Sequence, residues 1–97
     1  MAGASGQVTD LRSQGVTVVR FTGLPQPGPG RVDELWLIDA GGHPQPGAVF
    51  TPDTSGAHTV LLPRSVEGFK ALAVTEENGP EGAPAPTQEP QLLGNVK

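Results

Sequence analysis

The sequence predicts a small all-β protein, an antiparallel β-sandwich of the immunoglobulin-like type with about six short strands joined by Pro/Gly-rich loops. Three observations carry that expectation. The 14 glycines and 11 prolines among the 97 residues fall into clusters, the apolar segments between them are short and rich in β-branched residues, and no segment has the apolar period of an amphipathic helix.

The clusters are Leu24-Pro25-Gln26-Pro27-Gly28-Pro29-Gly30, Gly41-Gly42-His43-Pro44-Gln45-Pro46-Gly47 and Asn78-Gly79-Pro80-Glu81-Gly82-Ala83-Pro84-Ala85-Pro86. Such clustering is the punctuation of strands and turns, whereas a disordered chain of similar composition spreads these residues throughout. Ninety-seven residues suffice for one domain with one core. With one Trp, three Phe and no Tyr, Val and Leu must fill most of it.

Residues 16–22, Val-Thr-Val-Val-Arg-Phe-Thr, form the first expected strand, with Thr17, Val19 and Phe21 on one face. Residues 32–39 form the second. Their Leu35-Trp36-Leu37-Ile38 is apolar on both faces, which implies a strand covered on both sides. Residues 46–51 make a short edge strand bounded by prolines. Asp53-Thr54-Ser55-Gly56 has an Asx-type opener and a Gly at the fourth position, a type I turn that leads into a strand over 57–62.

Residues 69–76 form the fifth strand, in which Ala71 and Ala73 share a face and leave room for Trp36. Residues 90–96 form the last. Proline at or near both ends of most segments works against helices, and no repeat of 20 to 50 residues suggests a solenoid. Residues 1–14 read as a flexible N-terminal lead and 15–97 as the single sandwich domain.

Composition and motifs exclude more chemistry than they support. A net charge of −4 without a basic cluster lacks the footprint of a nucleic-acid or anionic-membrane binder. No cysteine is present, so disulfides and thiol chemistry are out. No stretch reaches the roughly 20 apolar residues of a membrane span, and the first residues have no apolar core of an export signal.

His43 and His58 fall in different elements without ligand spacing, so no metal site is expected. Ser55-Gly56-Ala57-His58 with Asp53 is the nearest approach to a serine triad, and turn geometry accounts for it. The adjacent pairs Asp33-Glu34 and Glu76-Glu77 point to opposite faces of their strands, so neither converges on one substrate atom, and they read as solvated strand ends. Gly28-Pro29-Gly30-Arg31 lacks the strand–loop–helix context of a phosphate loop. No catalytic residue, cofactor or metal is therefore expected. An exposed Trp36, or the Pro-rich loops, would suit an adhesive or carbohydrate-binding sandwich, but the apolar neighbours of Trp36 favour a buried anchor.

Taken in order, Leu24-Pro25, Glu34-Leu35-Trp36-Leu37-Ile38-Asp39, Gly41-Gly42, Pro46-Gly47-Ala48-Val49-Phe50, Asp53-Thr54-Ser55-Gly56, Leu72-Ala73-Val74-Thr75-Glu76, Gly82-Ala83-Pro84-Ala85-Pro86-Thr87 and Leu92-Leu93-Gly94 resemble the C-terminal domain of the anti-sigma-K factor family over about residues 15–95. Two features depart from the family's pattern. Asp33 stands where a Tyr is common, and Glu76-Glu77-Asn78 replaces a Glu-Pro step; both read as surface or strand-end positions.

The resemblance implies a non-enzymatic sensor or regulatory domain on the outer side of the cytoplasmic membrane. In the parent it would follow a membrane helix and a cytoplasmic sigma-binding domain. It also implies protein partners: the rest of the anti-sigma factor and, indirectly, a regulatory protease. An edge strand near Ala48 offers a route to self-association by β-augmentation.

Overall fold

The structure, a computed structural model, describes residues 4–95. Residues 1–3 of the expected lead, residue 96 of the expected last strand and residue 97 lie outside the described residues. Among the described residues seven strands form two antiparallel sheets: β1 (Ser5–Leu11), β2 (Val16–Thr22), β3 (Arg31–Asp39), β4 (Pro44–Phe50), β5 (His58–Leu62), β6 (Phe69–Asn78) and β7 (Leu92–Asn95). One sheet has the order β1-β2-β5 and the other β4-β3-β6-β7. Lettered from β1 as A, this is the A-B-E and C′-C-F-G arrangement of immunoglobulin-type sandwiches.

The expected lead is corrected by β1. Ser5 to Leu11 pair with Thr22 to Val16 through an unbroken antiparallel register, joined by a single 3₁₀ turn, Arg12–Gln14, and Gly15 at φ +69°. An edge strand with Ser5, Gln7 and Thr9 facing solvent has no apolar run to announce it, so backbone pairing with β2 supplies the order that its side chains do not advertise.

The core lies between the sheets. Val19 and Phe21 from β2, Val60 and Leu62 from β5, Leu35 and Leu37 from β3, and Leu72 and Val74 from β6 are all buried there. Phe21 stacks on Phe50, which stacks in turn on His58. The turn at Asp53-Thr54-Ser55-Gly56 closes with Gly56 N–H donating to the Asp53 carbonyl at 2.9 Å. Gly56 is required there: its φ is +83°, and a Cβ would lie 2.5 Å from the Leu24 carbonyl oxygen.

In β3 the alternation of side chains assigns each residue to a layer. Asp33, Leu35 and Leu37 face the other sheet, while Glu34, Trp36 and Ile38 face outward. The expected two-sided cover is present, for Leu35, Trp36 and Leu37 are all fully buried. The outer cover is no third layer of regular structure. It is the Pro/Gly-rich segment 79–91, which leaves β6, crosses the outer face of the four-stranded sheet and returns as β7.

Candidate functional site

Trp36 belongs to the outer face and not to the inter-sheet core. It pairs with Ala73 across the β3–β6 ladder, with Ala71 opposite Ile38, so two small side chains leave the space its indole fills. At 0% exposure it offers no ring face for stacking a sugar, so Trp36 does not carry the adhesive reading.

A chain of hydrogen bonds starts at this indole. Trp36 Nε1–H donates to the Thr75 hydroxyl at 2.8 Å, and Thr75 donates onward to Glu77 Oε2 at 2.6 Å. The Thr87 N–H reaches the same oxygen at 3.1 Å, and the Thr87 hydroxyl donates to Glu77 Oε1. One strand away, Glu34 Oε1 accepts the Ala83 N–H at 2.8 Å. Segment 79–91 is thus a strap whose backbone is held at Ala83 and Thr87 by two buried carboxylates rising from adjacent strands.

The sequence reads these carboxylates as solvated strand ends, and burial corrects that: Asp33, Glu34 and Glu77 are buried, and only Glu76 of the four is partly exposed. The strap, which no periodicity forecasts as a cover, excludes water from the outer pair. Their environments differ. Burial raises the Glu34 pKa, the Ala83 N–H opposes that, and the negative charge of Glu77 adds to it. Burial also acts to raise Glu77, but the Thr75 and Thr87 hydroxyls and the Thr87 N–H outweigh it and the net displacement is downward.

Asp33 faces inward at the end of the sandwich. Its Oδ1 accepts the Gln91 amide at 2.9 Å, while its buried Oδ2 has no hydrogen-bond partner among the described residues. Burial raises its pKa, the Gln91 bond opposes this, and Glu76 contributes in the raising direction. Glu76 itself accepts from Arg31 Nε at 3.1 Å and from Gly28 N–H at 3.2 Å, tying the first Pro/Gly loop to β6.

Between the strap and the β3–β4 end lies a cleft of about 490 Å³. Ile38, Pro44, Pro86 and Pro90 are among the residues that line it, with the buried Trp36 and Ala73 beneath them. Lys70 is the one charged residue among those lining it. The cleft joins apolar surface to a single cation, without a nucleophile and base in contact.

The remaining sequence candidates are dispersed. His43 sits in the exposed β3–β4 turn, where Asp39 Oδ1 accepts the N–H groups of Gly41 and His43. The Ser55 hydroxyl donates to Asp53 Oδ1 at 2.6 Å, and the same oxygen takes the Ser55 and Ala57 N–H groups. His58 is committed to the ring of Phe50. Asp53, Ser55 and His58 therefore form an Asx-turn beside an aromatic stack, not a charge relay.

The sequence does not single out Glu34, Thr75, Glu77 and Thr87 as a unit. A signal is present in it: positions 34 and 36 on one strand and 75 and 77 on another share the face of Trp36 once the pairing is known. Pairing itself is the missing information.

With this geometry in place, comparison with known proteins identifies the lineage. A curated relative, the anti-sigma-K factor RskA of Mycolicibacterium vanbaalenii, is 33% identical over 85 residues, which cover 88% of this chain. The aligned region amounts to 35% of that relative, so the chain spans about a third of its length. No solved structure matches. Residues 1–91 match the family described as the C-terminal region of the anti-sigma-K factor RskA, and the chain belongs to that family.

Proposed function

We propose that this chain is the extracytoplasmic regulatory domain of a membrane-anchored anti-sigma factor, acting without catalysis. In this reading its folded state governs whether the parent is proteolysed and its sigma factor released. The observation that carries the reading is the family match over residues 1–91 together with a relative of which the aligned region makes up 35%, in which the rest of the protein would hold the sigma factor. A protein-contact role is supported by the engagement of the candidate catalytic groups, Asp53 and Ser55 in a turn, Glu34 and Glu77 in the strap and Asp33 at the sandwich end, and by the largely apolar lining of the cleft.

The test uses the full-length parent. Alkaline phosphatase fused after this domain is expected to be active and green fluorescent protein dark, and Trp36→Ala is expected to shorten the parent's half-life and raise transcription from a sigma-dependent promoter. A cytoplasmic domain, or unchanged transcription when the domain is deleted, would overturn the proposal.

A further inference from the structure

The sheet edges differ in how they are protected. Edge strands expose unpaired backbone N–H and C=O groups, and proteins ordinarily blunt them with prolines, bulges, charges or short length. Strand β4, the edge expected from the sequence to self-associate, carries Pro44 and Pro46 and a register break opposite Leu35 and Trp36. Strand β5 has five residues and stops at Pro63, and β7 has only four. Strand β1 has seven residues, no proline, no bulge and no lysine. Its one charge, Asp10, is turned into its own fold, accepting the Ser65 hydroxyl at 2.8 Å. β1 is the unguarded edge among the described residues.

We infer that β1 is a homodimerisation edge, pairing antiparallel with β1 of a second copy in a register centred on Val8. That register is self-complementary. Val8 meets Val8, Gln7 meets Thr9, Asp10 meets Gly6 and Ser5 meets Leu11, so no charge opposes a like charge and the contact closes on a two-fold axis. The two three-stranded sheets become one six-stranded sheet.

A second observation points to the same occupant. Beside β1 the seam between the sheets is open, with a cavity of about 310 Å³ lined by Gly6, Val8, Phe21, Leu72, Val74 and Leu92. Val8 stands on the inward face of β1, opposite Val19, yet is 37% exposed. Pairing through β1 sets the two Val8 side chains against each other at the mouths of both seams, which covers apolar surface that the single copy leaves wet. Copies carrying −4 each repel at long range, so association should strengthen with added salt.

Sedimentation equilibrium of the 97-residue chain over a concentration series tests this. The wild type is expected to form a dimer that dissociates on dilution. Gln7 and Thr9 are exposed on the outer face, so paired substitutions there leave the core alone, as circular dichroism would check. Gln7→Glu/Thr9→Glu places like charges opposite each other twice and should weaken the dimer by about tenfold or more; Gln7→Lys/Thr9→Lys should do the same. Mixing the acidic and basic variants should restore a heterodimer. A wild type that stays monomeric, a dimer indifferent to both variants, or a mixture that fails to associate would each overturn the inference.

Discussion

The two faces of β3 are held by different physics. On the inner face Leu35 and Leu37 are buried against the three-stranded sheet, a contact without direction whose strength follows the area removed from water. On the outer face Trp36 is buried equally well, but under a strap anchored by backbone N–H groups on Glu34 and Glu77. One strand can thus be buried twice over and still respond to two kinds of perturbation: the inner face to lost volume, the outer face also to lost charge.

The sharpest way to break that contrast is to cut a cavity on each side. Trp36→Ala should cost about 3 to 5 kcal/mol and Leu35→Ala about 2 to 5 kcal/mol, large fractions of a small domain's total stability. The distinguishing measurement is hydrogen exchange under native conditions. Trp36→Ala removes the donor to Thr75, so the Ala83 and Thr87 amides should lose protection beyond the global change, whereas Leu35→Ala should lower all slow amides together. A folded Trp36→Ala variant of wild-type stability by urea denaturation would sink the account of the outer face.

A smaller perturbation acts on the latch alone. Glu77→Ala leaves the Thr75 and Thr87 hydroxyls and the Thr87 N–H without their acceptor, and charge-assisted bonds of this kind contribute about 1.5 to 3 kcal/mol. Unfolding midpoints should fall accordingly, and limited proteolysis should cut within 79–91 before it cuts elsewhere. Cleavage that begins in another loop would mean that the strap does not depend on Glu77.

Smaller again, and opposite in sign, is Asp33→Asn. The Asn carbonyl keeps the Gln91 bond while the buried charge disappears, so the variant should gain about 1 kcal/mol at neutral pH. The pH profile carries the same information. Folding raises Asp33 and Glu34 above their ordinary 3.8 and 4.5, so their contribution is complete below those values and is lost as pH rises through the higher folded values. Folding lowers Glu77 below 4.5, so its contribution is present above 4.5 and lost as pH falls through the lower folded value. Acidification from neutral should first stabilise the domain and then destabilise it. Thermal melts of Asp33→Asn should lack part of the first limb, and those of Glu77→Gln part of the second.

The same division separates what is legible in the sequence from what is not. The inner face is readable because local signals write it: β-branched runs, the two-faced Leu35-Trp36-Leu37-Ile38 and the Asp53-Thr54-Ser55-Gly56 turn each act within a few residues. The small Ala73 opposite Trp36 and Ala71 opposite Ile38 are readable as well. β1 escapes because an edge strand with one solvated face lacks that pattern. The latch escapes because Glu77 and Glu34 are local anomalies, charges beside apolar runs, whose partners lie up to 49 positions away in the chain. Sequence pattern reports which residues prefer burial; it does not report which loop will return to cover a carboxylate.

Glu76→Gln makes the smallest change and the finest separation of neighbours. Glu76 and Glu77 are consecutive on β6 and point to opposite faces, yet Glu76 is partly exposed, pairs with Arg31 at 3.1 Å and adds to the upward displacement of Asp33. Losing a partly solvated ion pair costs about 0 to 1 kcal/mol. Removing a negative charge near the buried Asp33 carboxylate offsets that cost. Two opposed effects of similar size should leave stability at neutral pH within about 0.5 kcal/mol of wild type, while the Asp33 titration, followed by carboxyl-carbon NMR, moves down toward its ordinary value. Glu77→Gln measured in parallel should lose more stability without moving Asp33 as far. If the two Gln variants proved alike in both readouts, the division between a solvated inner rim and a latched outer face would fail at the place where it is drawn most narrowly.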